Sequence, residues 1–422
     1  AFGYNSFCAN TTGASNTAVG NNALKANTTA SNNTAVGSNS LDANTTGAEN
    51  IAVGNNTLGT NTTGCRNTAM GLNALTLNTT GESNVAISRG ALSSNTTGCC
   101  NTAIGHNALV NNTTANDNVA VGNIALCANT TGANNTALGA YSLQRNTTGA
   151  SNVAVGQGAS NANTTGANNT VVGAEAFDTN TTGGNNVAIG KLTLTANTTG
   201  GNNSAVGVSA LGATTTGSGN TALGKEALLN NTTGDENVAV GIFALRKNTT
   251  ASKNTSMGYA ALCSNTTGAQ NTAVGANALE CNTTGTVSTA VGMEALCGQT
   301  TGDNNTAFGY KALKVTTTSK FNTAVGNEAL VANTTACCNT AIGWRSMCAN
   351  TTGAGNTAVG KDSLPDNTTA SNNTAVGCGA LLENTTGTTN TAVGRISLAN
   401  ITTGTNNVGM GAETMTDLTT GS

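Results

Sequence analysis

Three sets of residues in this chain have the chemistry to act. They are 12 cysteines, a recurring Asn-Thr-Thr triplet, and a thin scatter of ionisable side chains that includes a single histidine. The triplet has the form of an N-glycosylation acceptor. It begins at Asn10, Asn27, Asn44, Asn61 and Asn78 and recurs as far as Asn384. Among the cysteines, Cys263, Cys281 and Cys297 form one group close in sequence, and Cys337, Cys338 and Cys348 form another. Disulfides within either group would suit an oxidising compartment. The other reading, which we favour, treats Cys as a small filler that replaces Ala, Ser or Asn. The paired C-x-x-C spacing of a zinc site does not occur.

Acid–base chemistry finds little support. His106 lies beside Asn107 at a variable position. The carboxylates recur at no spacing that would pair two of them; Glu226, Glu294 and Glu328 share one place in the repeat described below, but in separated copies. Calcium-binding β-rolls need a repeated G-G-x-G-x-D, and that Asp ladder is missing. We therefore expect no catalytic residue, no metal site and no cofactor. A net charge of −3 with scattered Lys and Arg gives no basic patch for nucleic acid. No apolar run approaches the roughly 18 residues of a membrane span.

The elements that carry these residues follow from one pattern. Thr17-Ala18-Val19-Gly20 returns as Thr34-Ala35-Val36-Gly37 and then as Ile51-Ala52-Val53-Gly54, in steps of 17 and without insertion or deletion, to Val408-Gly409-Met410-Gly411. The unit reads T-A-V-G-x-x-A-L-x-x-N-T-T-G-x-x-N, and about 25 copies fill the chain. Positions below are counted from the first Thr of this unit. Two glycines and two adjacent β-branched residues per unit argue against helix, where each Gly costs about 1 kcal/mol. Gly and Asn tolerate the positive φ of sharp corners. The expected fold is all-β: one continuous parallel β-solenoid over 1–422, with a small, roughly triangular coil whose sides are Thr-Ala-Val, Ala-Leu and Thr-Thr. Stacked coils about 4.8 Å apart would give a rod of roughly 120 Å. The interior is expected to hold two ladders, Val19, Val36, Val53 and Leu24, Leu41, Leu58. Glycans on every coil would crowd at that spacing, so a packing role for the Asn-Thr-Thr residues is the stronger reading.

The run Asn16-Thr17-Ala18-Val19-Gly20-Asn21-Asn22-Ala23-Leu24 with Asn27-Thr28-Thr29 resembles the repeat arrays of bacterial and phage fibre proteins. It is also similar to the head domains of trimeric autotransporter adhesins. The resemblance covers the whole chain and implies a left-handed β-roll that trimerises, on a cell surface or virion. The residues themselves suggest self-association, as a homotrimer or a head-to-tail filament, because the Ala positions suit close approach. The expected function is a structural fibre, such as an extracellular filament, adhesin shaft or tail-fibre segment. Its variable corner, with Tyr4, Tyr141, Tyr259, Tyr310 and Trp344, would meet a cell-surface or glycan receptor. An alternative from another class is ice binding through the Thr ladders.

Overall fold

A computed structural model describes residues 1–421. Among these there is no helix, and the only strands are 24 segments of three residues. The chain forms two compact units, Ala1–Thr216 and Gly217–Ser422. The first carries β1 (Thr17–Val19) to β12 (Ser204–Val206), and the second carries β13 (Thr221–Leu223) to β24 (Val408–Met410). Within each unit every strand pairs in parallel with the strand one repeat later. Thr17, Ala18 and Val19 lie against Thr34, Ala35 and Val36, and so on along the stack. Each unit is thus a parallel β-solenoid with one coil per repeat.

Only one side of the coil is a β-ladder. The Ala-Leu segment, expected to be extended, is a turn, with Asn22 at φ 58° and Leu24 at φ 50°. A third left-handed residue follows at Asn32, φ 63°. This conformation disfavours L-residues by roughly 1–2 kcal/mol. It is supported along the stack by a backbone bond to the next coil: Leu24 N–H donates to the Ser40 carbonyl at 3.0 Å, and Leu41 N–H to Thr57 at 3.0 Å. The left-handed turn swings the Leu side chain inward, where Leu24, Leu41 and Leu58 are fully buried.

The fourth position closes the strand with a glycine that cannot be replaced without movement. Gly139 has φ 135°, and a Cβ there would lie 2.6 Å from the Gly156 carbonyl oxygen of the next coil. Ser88, the single substitution at this position, is forced to φ 108°, a region essentially reserved for glycine.

The structure corrects the expected core. Ala18, Ala35 and Ala52 are buried, and Val19, Val36 and Val53 point outward; Val19 is 40% exposed. Adjacent strand residues face opposite sides, so only one phase of Thr-Ala-Val can be inside. The small methyl group goes in at nearly every coil; a branched side chain is inside at this position at Val171, in the coil that follows Ser160. The interior is therefore an Ala ladder from the strand, an Ala-Leu pair from the turn, and two Asn ladders.

Packing compensates between neighbouring coils where the repeat departs from type. Ser160 replaces Leu at the eighth position, and the next coil carries Phe177 there, fully buried. The two are adjacent in the stack, since Ser160 N–H donates to the Ala176 carbonyl at 2.9 Å. Val171 also stands in place of Ala on the strand of the Phe177 coil, so two enlarged buried side chains, Val171 and Phe177, accompany the small serine.

Candidate functional site

The Asn-Thr-Thr residues lie at the polar half of the interior. Asn27, Asn44, Asn61 and Asn78 are fully buried. Each amide nitrogen donates twice. Asn44 Nδ2 reaches Asn27 Oδ1 of the preceding coil at 3.1 Å and the Gly47 carbonyl of its own coil at 2.9 Å. Asn10 Oδ1 accepts from Asn27 in the same way at 3.1 Å. The second Asn of the unit completes the network: Asn33 Oδ1 accepts the Asn50 backbone N–H at 2.9 Å, and its Nδ2 donates to Gly47 O at 2.9 Å. Buried amides bonded in this way rigidify a core. The nitrogens at Asn27, Asn44, Asn61 and Asn78, and that of Asn10, which donates to the Gly13 carbonyl, are occupied. In the folded coil these atoms are structural, and a sugar on a buried one would require the coil to open.

The Thr-Thr pair divides its roles. The hydroxyl of the first donates along the stack, as from Thr28 to the Thr45 carbonyl at 3.1 Å and from Thr45 to Thr62 at 3.0 Å. The second, Thr29, Thr46 or Thr63, is exposed.

The most extensive surface feature is the outward side of the β-ladder. First and third positions of each strand alternate around the buried Ala and present two parallel rows. In β1–β12 these rows hold Thr, Val, Ile, Ser, Met and Leu and no charged residue, and the same is true of β13–β24, where Phe308 joins them. Val19, Met70, Leu138, Val172 and Ile189 stand among the exposed large hydrophobic residues of the first unit, and Leu223, Met257, Phe308 and Ile342 among those of the second. One signal for this orientation was present in the sequence. The third position accepts anything from Val to Phe, as a surface does, and the second and seventh stay small, as a tight interior requires.

The variable corner gathers cations onto aromatic rings. Phe243 is flanked by the Arg246 guanidinium at 5.2 Å and Lys225 at 5.9 Å, with Tyr259 edge-on at 6.1 Å. Trp344 lies between Arg345 at 5.2 Å and Lys361 at 5.1 Å, and Lys311 sits 4.6 Å from Tyr310. Each such contact contributes about 0.5–1 kcal/mol at an exposed site. Tyr4 is largely exposed at the same corner. His106 lies on the surface with Nδ1 3.3 Å from Asn123 Oδ1. Among the described residues no three His, Cys, Asp or Glu side chains converge as a metal site would need, and no helix is long and apolar enough to cross a membrane.

The cysteines are free thiols at the surface or half-buried. The expected neighbourhood of Cys348 with Cys337 or Cys338 does not form. The Cys348 carbonyl accepts from Ala332 N–H at 3.3 Å, and the Cys337 carbonyl accepts from Gly355 N–H at 3.2 Å, so they stack on different columns of the coil. Cys281 and Cys297 do meet, with Cys281 N–H donating to the Cys297 carbonyl at 3.1 Å.

No protein-family model matches this chain, and no curated protein matches it. The fold and surface define it as a repeat protein of the parallel β-solenoid class.

Proposed function

We propose that this chain is the shaft of an extracellular structural fibre, assembled by lateral packing of copies of itself through the outward Thr-x-Val face. The observation that carries the reading is the absence of charge from both rows of that face in every strand of each unit. Isolated surface hydrophobics are ordinary, but contiguous apolar patches beyond a few hundred Å² mark interaction sites. Both rows run without a charge through the twelve strands of a unit, a continuous face against the ~800 Å² per partner that a stable interface buries. The occupant that fits best is a second copy of the same face. Its rows repeat at the same coil spacing, so ridges and hollows coincide along the length, and a neutral surface meets no repulsion from its own image. A two-fold closes such a contact in a dimer, and a three-fold closes it in a homotrimer where three copies of the face converge on one axis. The aromatic and cationic corner, which varies from coil to coil, remains outside the contact and is the edge that would meet a cell-surface or glycan receptor.

The test is the oligomeric state of the intact chain by light scattering and negative-stain imaging, with Val155→Lys and Ile189→Lys as the disrupting variant. Both side chains point outward, and they lie two coils apart, so the new charges do not stack directly. The parent should be an oligomer of uniform width, and the variant should dissociate with its circular dichroism unchanged. A dispersed monomeric parent would overturn the reading. If that monomer also shows thermal hysteresis, the ice-binding alternative takes its place, with the two outward rows of the β-ladder, rather than the Thr-Thr pair, as the flat surface.

A further inference from the structure

We propose that Cys281 and Cys297 are a built redox site: they form a disulfide between successive coils of the second unit, and Glu280 governs how fast it closes. The geometry selects this pair from the 12 cysteines. Coils stack residues 17 apart, so Glu280 lies in the column of Cys263 and Cys297, with its Oε2 3.6 Å from Cys297 Sγ. Cys281 is the diagonal neighbour of Cys297, its N–H donating to the Cys297 carbonyl at 3.1 Å, as Ser264 N–H donates to Glu280 O at 3.0 Å. A bonded neighbour in adjacent coils lies within the Cα separation of about 4.4–6.8 Å that a disulfide spans. Cys263 has its backbone bonds elsewhere, its N–H donating to the Ala260 carbonyl at 3.3 Å. Its carbonyl accepts from Lys247 N–H at 3.0 Å, and Glu280 occupies its own column in the following coil, between it and Cys297. Cys263 and Cys297 are thus two coils apart, about 9.6 Å at the ladder spacing, beyond disulfide reach.

The charges around the pair set its reactivity. Cys281 is exposed and Cys297 half-buried, with its Sγ 3.6 Å from Glu280 Oε2. Burial first, then Cys281, Glu280 and Glu294, push the Cys297 thiol up to about 12. Burial and Glu280 raise Cys281 as well. In the next coil Lys314 is held at 2.7 Å from Glu294, which in turn lies near Lys311. In the preceding coils Lys247 and Arg246 face Cys263. The thiolate is the attacking species, so closure is slow near neutrality and quickens as pH rises. With a small disulfide such as oxidised glutathione as oxidant, the exposed Cys281 thiolate attacks one of its sulfurs, and one glutathione thiolate leaves and takes up a proton. Cys297 then loses its proton to solvent or to Glu280 and attacks the Cys281 sulfur, expelling the second glutathione. Two protein thiols become one disulfide, and the oxidant becomes two thiols.

The test is to treat the reduced, intact protein with excess oxidised glutathione and map the products without reduction. Cleavage after Glu280 and Glu294 places the three cysteines in separate peptides. The expected product is a Cys281–Cys297 linked pair that forms faster at pH 9 than at pH 7 and is absent from C281S, with Cys297 then left unlinked. In E280Q, where cleavage at Met293 separates the pair, removing the adjacent negative charge should speed closure by at least about threefold at pH 8. Glutathione adducts without a linked pair, or a Cys263–Cys281 link, would overturn the pairing. An unchanged rate in E280Q would overturn the role given to Glu280.

Discussion

The residue that departs from the repeat is the most informative one in it. A stack of identical leucines needs no explanation beyond burial, but Ser160 followed by Phe177 shows that volume is conserved between coils rather than within them. The Ser160 hydroxyl is buried without a partner, so this solution carries a cost that a Leu pair would not. Phe177→Leu alone leaves a void and should lose about 1–2 kcal/mol. Ser160→Leu alone overfills the site and should lose about 1–3 kcal/mol. The double variant restores the uniform ladder and removes the orphan hydroxyl. It should be more stable than either single variant, with a favourable coupling of about 1 kcal/mol or more in a urea-unfolding double-mutant cycle. Strict additivity of the two losses would show that the residues do not share the space.

At the scale of the coil the polar interior follows the same rule. Ser288 stands where nearly every other coil has Asn, and the next coil carries Gln299 in place of Asn at the eleventh position. The longer arm spans the gap: Gln299 Nε2 donates to Ser288 Oγ at 3.1 Å and to Asn282 Oδ1 at 3.3 Å, and its Oε1 accepts from Asn305 Nδ2 at 2.9 Å. Two coils on, Ser319 replaces the usual Gly or Ala beside a shortened Thr316, and its hydroxyl accepts from Asn322 at 3.1 Å and Asn333 at 3.4 Å. Gln299→Asn should leave buried donors unpaired, at about 1–3 kcal/mol, and Ser288→Asn should crowd the glutamine. The pair of changes together recreates the regular network. Hydrogen exchange at the Asn305 amide, which donates to Ser288 Oγ at 3.3 Å, should quicken in Gln299→Asn and return to the parent rate in the double variant. Unaltered exchange in Gln299→Asn would refute the coupling.

At the largest scale each unit is a one-dimensional solid. Each coil touches only its neighbours, and stability accumulates from nearest-neighbour terms. Such an array gains nothing from distant parts of the chain, and its broad uncharged face is the surface on which further burial remains available. Association through that face would be driven by apolar burial and not by ion pairs, which lie elsewhere, as at Arg246 with Glu226 and Lys320 with Asp303. Oligomer dissociation should therefore change little between about 0.05 and 0.5 M sodium chloride, although the Debye length shrinks severalfold. Sulfate, which strengthens apolar burial, should tighten it. Dissociation by moderate sodium chloride would assign the contact to the charged corner instead.

Much of this architecture was legible in the residues themselves. An unbroken period of 17 dictates that each residue stacks on its own kind, because any slip would misplace all the others. Gly and Asn mark the corners because they tolerate positive φ, and Leu24 and its equivalents go inside because nothing else in the unit is large and apolar on that side. Three things depended on the closed coil. Whether Ala18 or Val19 faces inward is a choice between two phases of one strand; hydropathy favours valine, but beside the buried Leu of a regular coil the methyl group goes in, and a branched side chain is inside at Val171, in the coil after Ser160. The Asn-Thr-Thr motif reads alike as sugar acceptor or packing ladder, and only the carbonyl at the fourteenth position, turned into the interior, supplies the partner that buries Asn27 and Asn44. The backbone bond from Cys281 to the Cys297 carbonyl, and the seat of Glu280 against the Cys297 thiol, come from the slanted bonding of parallel coils stacked 17 residues apart, which the spacing of the cysteines alone does not display.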